Sequence, residues 1–230
     1  MYYPIKFKPV YKDYIWGGRY FEKFDRELPK GILAESWELS SHKNGVSIVS
    51  NGDLEGKTLS EIIKADAKNI LGTKFPINCD KMPLLIKFID ANDSLSVQVH
   101  PDDNYAAVYE GGLGKNEIWY IMDARPGAKL VEGLKAGVTK EIFAKAIKEN
   151  RIKECLLEVE VKQGDVVNIP AGLVHAIGAG LVIAEIQQTS DITYRVFDYN
   201  RVNSKGVGRL LHLKKALDVI NFQEGARDIK

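Results

Sequence analysis

The sequence predicts a mainly β domain, a sandwich or barrel of short strands with a few peripheral helices. Short β-rich runs recur along the whole chain, Gly, Pro, Asn and Asp turns punctuate them, and few stretches carry helical periodicity. The 230 residues suit one large β domain, and 45 % hydrophobic residues are enough to fill its core.

Up to about residue 50 the chain alternates short β-like runs, Ser36 to Leu39 and Val46 to Val49, with turns at Gly17-Gly18 and Lys43-Asn44-Gly45. Thr58 and Glu61 are spaced as a capping box, so a helix is expected over about 58–71, with Gly72 as its stop. Leu84 to Ile89 reads as a strand buried on both faces, interrupted by Lys87. Leu95 to His100, Glu117 to Met122 and Lys129 to Glu132 read as further strands. A helix is expected over about 139–150, capped by Thr139 and apolar at Ile142, Phe143, Ala146 and Ile147. Val166 to Ile169, Leu181 to Ile186 and Ile192 to Phe197 complete the strands, and an amphipathic helix is expected over about 210–222.

The charge balance is +1, 32 basic against 31 acidic residues, so neither nucleic acid nor an anionic membrane is an expected partner. No apolar run reaches membrane-spanning length, and the opening Met1-Tyr2-Tyr3-Pro4-Ile5-Lys6 lacks the apolar stretch of a secretion signal. Cys79 and Cys155 stand far apart without a CxxC spacing, which suggests reduced thiols in a cytoplasmic protein.

Side chains alternate faces along a strand, so Ser96, Gln98 and His100 are expected on one face and Leu95, Val97 and Val99 on the other. Glu117 heads a later strand. Gly164-x5-Pro170-x-Gly172-x2-His175 places a second imidazole after a tight turn. Two imidazoles and a carboxylate suit zinc, iron or manganese, and the amide oxygen of Gln98 is a weaker fourth ligand. With a divalent ion such a site carries a net charge of +1, because Glu117 is its only anion, and it should favour an anionic ligand or transition state. Lys87, inside an apolar strand, is costly to bury unless an anion meets it.

The Gly-Pro-Gly-His spacing resembles the second half of the cupin signature, and Gln98-Val99-His100, Glu117 and Gly127 fill the places of the first half, with Gln98 replacing a His and Ala179 the usual final Asn. The resemblance implies a cupin-type double-stranded β-helix, or jelly roll. Within that superfamily the run Pro83-Leu84-Leu85-Ile86-Lys87-Phe88-Ile89, the segment Leu95 to Pro101, Tyr14-Ile15-Trp16-Gly17-Gly18, Ala34-Glu35-Ser36-Trp37-Glu38, Lys115-Asn116-Glu117 and Ser190 to Asp198 resemble the type I mannose-6-phosphate isomerases (phosphomannose isomerases), especially their short bacterial branch.

That resemblance implies an aldose–ketose isomerase that interconverts mannose 6-phosphate and fructose 6-phosphate with one zinc held by Gln98, His100, Glu117 and His175. It implies a catalytic role for Arg195, with Glu185, Asp191 or Lys115 moving the proton. Lys87 and Ser96 are implied as phosphate holders, and Trp16 is either a lid over the substrate or a packing residue. One cupin-like catalytic domain is expected over 1–230, without the further C-terminal β domain of longer relatives. Gly114 stands where longer isomerases have a His. Two other readings are an Fe(II) cupin oxygenase and a non-catalytic, metal-bound cupin that only binds a sugar phosphate.

Overall fold

The computed structural model describes residues 3–74, 81–202 and 205–223, so Cys79 lies outside the described residues, and Cys155 is a buried free thiol. Its elements run in chain order as β1 (Phe7–Lys8), β2 (Val10–Lys12), β3 (Glu35–Leu39), β4 (Ile48–Val49), α1 (Leu59–Leu71), β5 (Leu84–Ala91), β6 (Val97–Val99), α2 (Asp103–Tyr109), β7 (Glu117–Ala124), β8 (Lys129–Leu134), α3 (Lys140–Lys148), β9 (Leu156–Glu160), β10 (Val166–Ile169), β11 (His175–Ile177), β12 (Leu181–Gln188), β13 (Tyr194–Phe197) and α4 (Leu213–Val219). Six strands form one antiparallel sheet in the order β10-β7-β12-β5-β3-β2, and five form a second in the order β13-β6-β11-β8-β9. Strands remote in sequence are neighbours: β12 pairs along its whole length with β5 on one side and β7 on the other. Two facing antiparallel sheets interleaved in this way make the expected jelly roll.

Alternation sorts the side chains into layers. Ile89, Trp119, Ile121, Val167, Ile169 and Ile183 of the first sheet meet Leu130 and Ile177 of the second in the space between them. The opposite face of the second sheet presents Val97, Val99, Val131, Ala176 and Val196 to Phe143 and Ala146 of α3 and Ala216 of α4. Helix α1 packs Leu59, Ile62 and Ile63 on Val49.

Several local expectations hold in detail. Thr58 accepts from the Glu61 amide while Glu61 accepts from the Thr58 amide, a complete capping box. Thr139 caps α3 by accepting from the Ile142 amide, without the reciprocal half of a box. Other expectations need correction. Ile142 is 49 % exposed, because the buried stripe of α3 centres on Phe143 and Ala146 and leaves it at the edge. Leu95 packs in the inner core, on the side of Gln98, because it precedes β6 and escapes the alternation. Leu84 is exposed at the start of β5. The last helix covers only Leu213–Val219, since Leu210 and His212 instead contact Arg195 through backbone and ring.

Candidate active site

The cross-strand register builds the site. Gln98 in β6 lies directly opposite His175 in β11, and on the other side opposite Arg195 in β13. His100 follows one residue after β6, on the Gln98 face. Glu117 begins β7 in the other sheet and faces them across the interior. The turn before His175 is tied to the same strand: the Gly172 N–H donates to the His100 carbonyl at 2.9 Å. Gly172 has φ +86, and a Cβ there would lie 3.1 Å from the Val219 carbonyl oxygen, so glycine suits both the conformation and the space.

His100 Nε2 lies 3.2 Å from Glu117 Oε1, and His175 Nε2 lies 3.9 Å from Glu117 Oε2. One ligand atom from each of the three side chains falls within 4.8 Å of the others. Gln98 completes the group, its amide 3.3 Å from His175 Nε2. Both rings are oriented by carbonyl oxygens, His100 Nδ1 on Ile192 and His175 Nδ1 on Leu173, at 2.9 Å each. A carbonyl only accepts, so each Nδ1 carries the proton and each Nε2 turns a lone pair inward. Among the described residues His100 Nε2 is buried and has no hydrogen-bond donor, and the acceptor it faces is Glu117 Oε1. A buried lone pair without a donor is costly, and two inward imidazole lone pairs beside a carboxylate fit a divalent cation. With its amide turned the other way, Gln98 would present its oxygen to the same ion.

The charges around this cluster are tightly paired. Lys115 Nζ lies 2.7 Å from Glu117 Oε1. Trp119 Nε1 donates to both Glu117 and Glu185, at 3.1 and 2.8 Å. Lys87 Nζ lies 2.9 Å from Glu185 and 3.5 Å from Glu35, and Trp37 Nε1 donates to Glu35 at 2.6 Å. Burial would raise the Glu117 carboxyl, but Lys115 and His100 hold it well below the usual range. Burial and the Glu117 charge push Glu185 up, against the pull of Lys87. Burial works against the Lys87 ammonium, but Glu185 and Glu35 outweigh it and hold its pKa above the ordinary value. Burial and Lys115 push His100 down to about 3, and burial also lowers His175.

A cavity of about 300 Å³ opens above the cluster, bordered by Gln98, Lys115, Glu185, Lys87, Ser96 and Arg195 among others. Most of the sequence-derived candidates therefore meet in one place. Arg195 donates Nε to Ser96 Oγ at 3.2 Å and Nη1 to the Leu210 carbonyl at 3.1 Å. Trp16 is 3 % exposed and belongs to the inner core while also lining the cavity, so it packs there and is no exposed lid. Asp191 stands at the rim, half exposed, bonded to Asn44 and 3.5 Å from His42. Lys87 already has the anion its burial calls for, supplied by Glu185 and Glu35.

Sequence reasoning missed Glu35, Trp37, Arg209 and His212 as wall residues. Glu35 and Trp37 sit inside the Ala34 to Glu38 motif, which was the available signal. Arg209 and His212 lie in an irregular segment with no periodicity to place them.

An antiparallel jelly roll with a buried His-Glu-His cluster beside a polar cavity defines a cupin with a candidate metal site. Comparison with known proteins narrows this class. Residues 5–116 match the model of the phosphomannose isomerase type I catalytic domain. The chain is 44 % identical over 218 residues to the mannose-6-phosphate isomerase ManA of Bacillus subtilis, covering 94 % of this chain and 68 % of that one. It is 41 % identical to the mannose-6-phosphate isomerase of Streptococcus mutans, covering 92 % and 66 %. A crystal structure of the mannose 6-phosphate isomerase from Bacillus subtilis superposes with a TM-score of 0.91 at 36 % identity, over 98 % of this chain and 71 % of that one. The chain belongs to the type I mannose-6-phosphate isomerase family, and it spans about two thirds of the length of these relatives.

Proposed function

We propose that the protein interconverts mannose 6-phosphate and fructose 6-phosphate, moving a proton between C1 and C2 of the open-chain sugar through a cis-enediolate. The observation that carries this reading is the convergence of Gln98, Arg195, Glu185 and Lys115 on one cavity, with Gln98 and Lys115 tying it to the buried His100-Glu117-His175 cluster. A divalent ion held by Gln98, His100, Glu117 and His175, zinc in our reading, would polarise the carbonyl and hydroxyl oxygens of the sugar.

The residues of the chain do the rest. Arg195, adjacent to Gln98 across the sheet, keeps its charge and stabilises the anionic oxygen of the enediolate. Glu185 is our first candidate for the proton transfer, because its raised pKa suits a carboxylate that must both take and return a proton. Lys115, bound to Glu117, is the second candidate, and Asp191 at the rim the third. Lys87 acts as the fixed counter-charge that orients Glu185. Ser96 contributes its hydroxyl beside Arg195, where a phosphate can reach it. Gln98 in place of a third imidazole and Arg195 in the cavity wall favour this reading over an oxygenase. The cytoplasm is the compartment we assign, on the free thiol of Cys155.

The deciding experiment joins elemental analysis of the purified protein to a coupled assay for fructose 6-phosphate formed from mannose 6-phosphate. Metal at one equivalent with turnover supports the reading. Metal-loaded protein that binds the sugar phosphate without turnover supports the non-catalytic alternative.

A further inference from the structure

The two ends of the cavity are charged differently. At the cluster end Lys87 and Lys115 each have a carboxylate within 2.9 Å. At the other end Arg195 and Arg209 line the wall together with Ser96, Thr193 and His212. The carboxylate there is Asp198, 5 % exposed, and two guanidiniums share it. Arg209 donates Nε to its Oδ2 at 2.7 Å and Nη2 to its Oδ1 at 2.5 Å, while Arg201 donates Nε and Nη2 to Oδ1 at 3.2 and 2.6 Å. Arg195 has no carboxylate partner among the described residues; its donors go to a hydroxyl and a carbonyl. Arg201 also lies 3.6 Å from the exposed Asp93, so three guanidiniums stand against two carboxylates and this end keeps a surplus positive charge. Burial and the proximity of Arg209 both act against the charged form of Arg195. The hydrogen bonds of Arg195 run through Nε and Nη1, and those of Arg209 through Nε and Nη2.

Like charges gathered in a half-buried wall are unfavourable until an anion joins them, and paired guanidiniums match the oxygens of a phosphate. We propose that Arg209 binds the phosphate of the substrate, with Ser96 and the outward nitrogen of Arg195 completing the contact, and that Arg209 sets the preference for phosphorylated over free sugar. This rests on the isomerase reading for the identity of the ligand, but the dianion site stands on its own charges. It leaves Arg195 between the phosphate and the cluster, where one guanidinium faces both.

The test uses the full chain and two probes. Inorganic phosphate is titrated calorimetrically into the wild type and into Arg209→Gln, and KM and kcat are measured for mannose 6-phosphate and for mannose. We expect phosphate affinity to fall about tenfold or more, the scale of losing a charge-assisted hydrogen bond. We expect the preference for mannose 6-phosphate over mannose to fall by a similar factor, through KM and not kcat. A structural role through Asp198 would instead weaken both sugars alike and lower the melting temperature, and that result overturns the proposal. Unchanged phosphate affinity in a folded Arg209→Gln also overturns it. If that variant does not fold, Arg209→Lys decides: it keeps the charge on Asp198 but loses the planar fork, so weakened phosphate binding supports the site and wild-type binding removes it. Phosphate binding by a wild type that isomerises no sugar would sink the functional reading while leaving this site intact.

Discussion

The two ends of the cavity solve the problem of buried charge in opposite ways. At the cluster end Lys87 joins Glu35 to Glu185, Lys115 pairs with Glu117, the Trp119 indole bridges the two carboxylates Glu185 and Glu117, and Trp37 donates to Glu35, so every charge has an internal partner. At the arginine end the charges outnumber their partners. A compensated network holds geometry fixed before any ligand arrives. An uncompensated one leaves binding energy to be realised by the ligand. Chemistry that depends on placement belongs at the first end, and recognition of an anion at the second.

The largest expected effect comes from dismantling the cluster. His175→Ala removes one inward lone pair and one strand contact, so bound metal should be lost and kcat/KM should fall by roughly 10³-fold or more, the scale of several kcal/mol of charge stabilisation. Elemental analysis beside the coupled assay reads both, and retained metal with full turnover would disprove the ligand assignment.

Lys87→Met strikes the compensated end through stability. It leaves Glu185 and Glu35 buried without their shared counter-charge, and unfolding in urea should show a loss of about 3–5 kcal/mol. Were Lys87 waiting for an external anion, the same variant would be as stable as the wild type and only KM would rise.

Arg195→Lys keeps the charge but loses the fork that reaches Ser96 and Leu210. We expect kcat to fall by roughly 10²-fold, with metal content and melting temperature preserved. Wild-type turnover would reassign Arg195 to structure.

Acid separates the two ends by a smaller amount, because guanidiniums keep their protons while imidazoles titrate. The folded pKa values of His100 and His175 lie below the free imidazole value near 6.5. The unfolded chain therefore binds more protons than the native one below that pH. The stability these neutral rings contribute is fully present above about 6.5 and declines as pH falls, down toward about 3 for His100. Metal-free protein should lose up to about 1.4 kcal/mol per imidazole for each pH unit in that window. A flat stability profile from pH 6.5 to 5 would show that the rings are protonated in the fold.

Much of this was legible in the chain because it is local. The spacing of Gln98 and His100 along a strand, the Pro170 to Gly172 turn and the Thr58–Glu61 box each declare themselves within a few residues. Lys87 announced a buried charge by standing in Leu-Leu-Ile-Lys-Phe-Ile, but not its partners. Glu35 lies 52 residues away and meets Lys87 only across β3 and β5. Helix α2 is one short element whose signal was the cap alone, Asp102 accepting from the Tyr105 amide. Arg209 reaches Asp198 from a stretch with no periodicity, so only the folded chain shows which end of the cavity it faces.

Arg195, Gln98 and His175 occupy one row across β13, β6 and β11, so the site is written in the register of three strands. Sliding β6 by one residue would point Gln98 and His100 at α3 and α4 and bring Val97 and Val99 to face the cavity. The chain can therefore absorb insertions in its connecting loops without disturbing the row. A single deletion inside β6 abolishes ligands and packing together, which makes this short strand the position where drift in length is least tolerable.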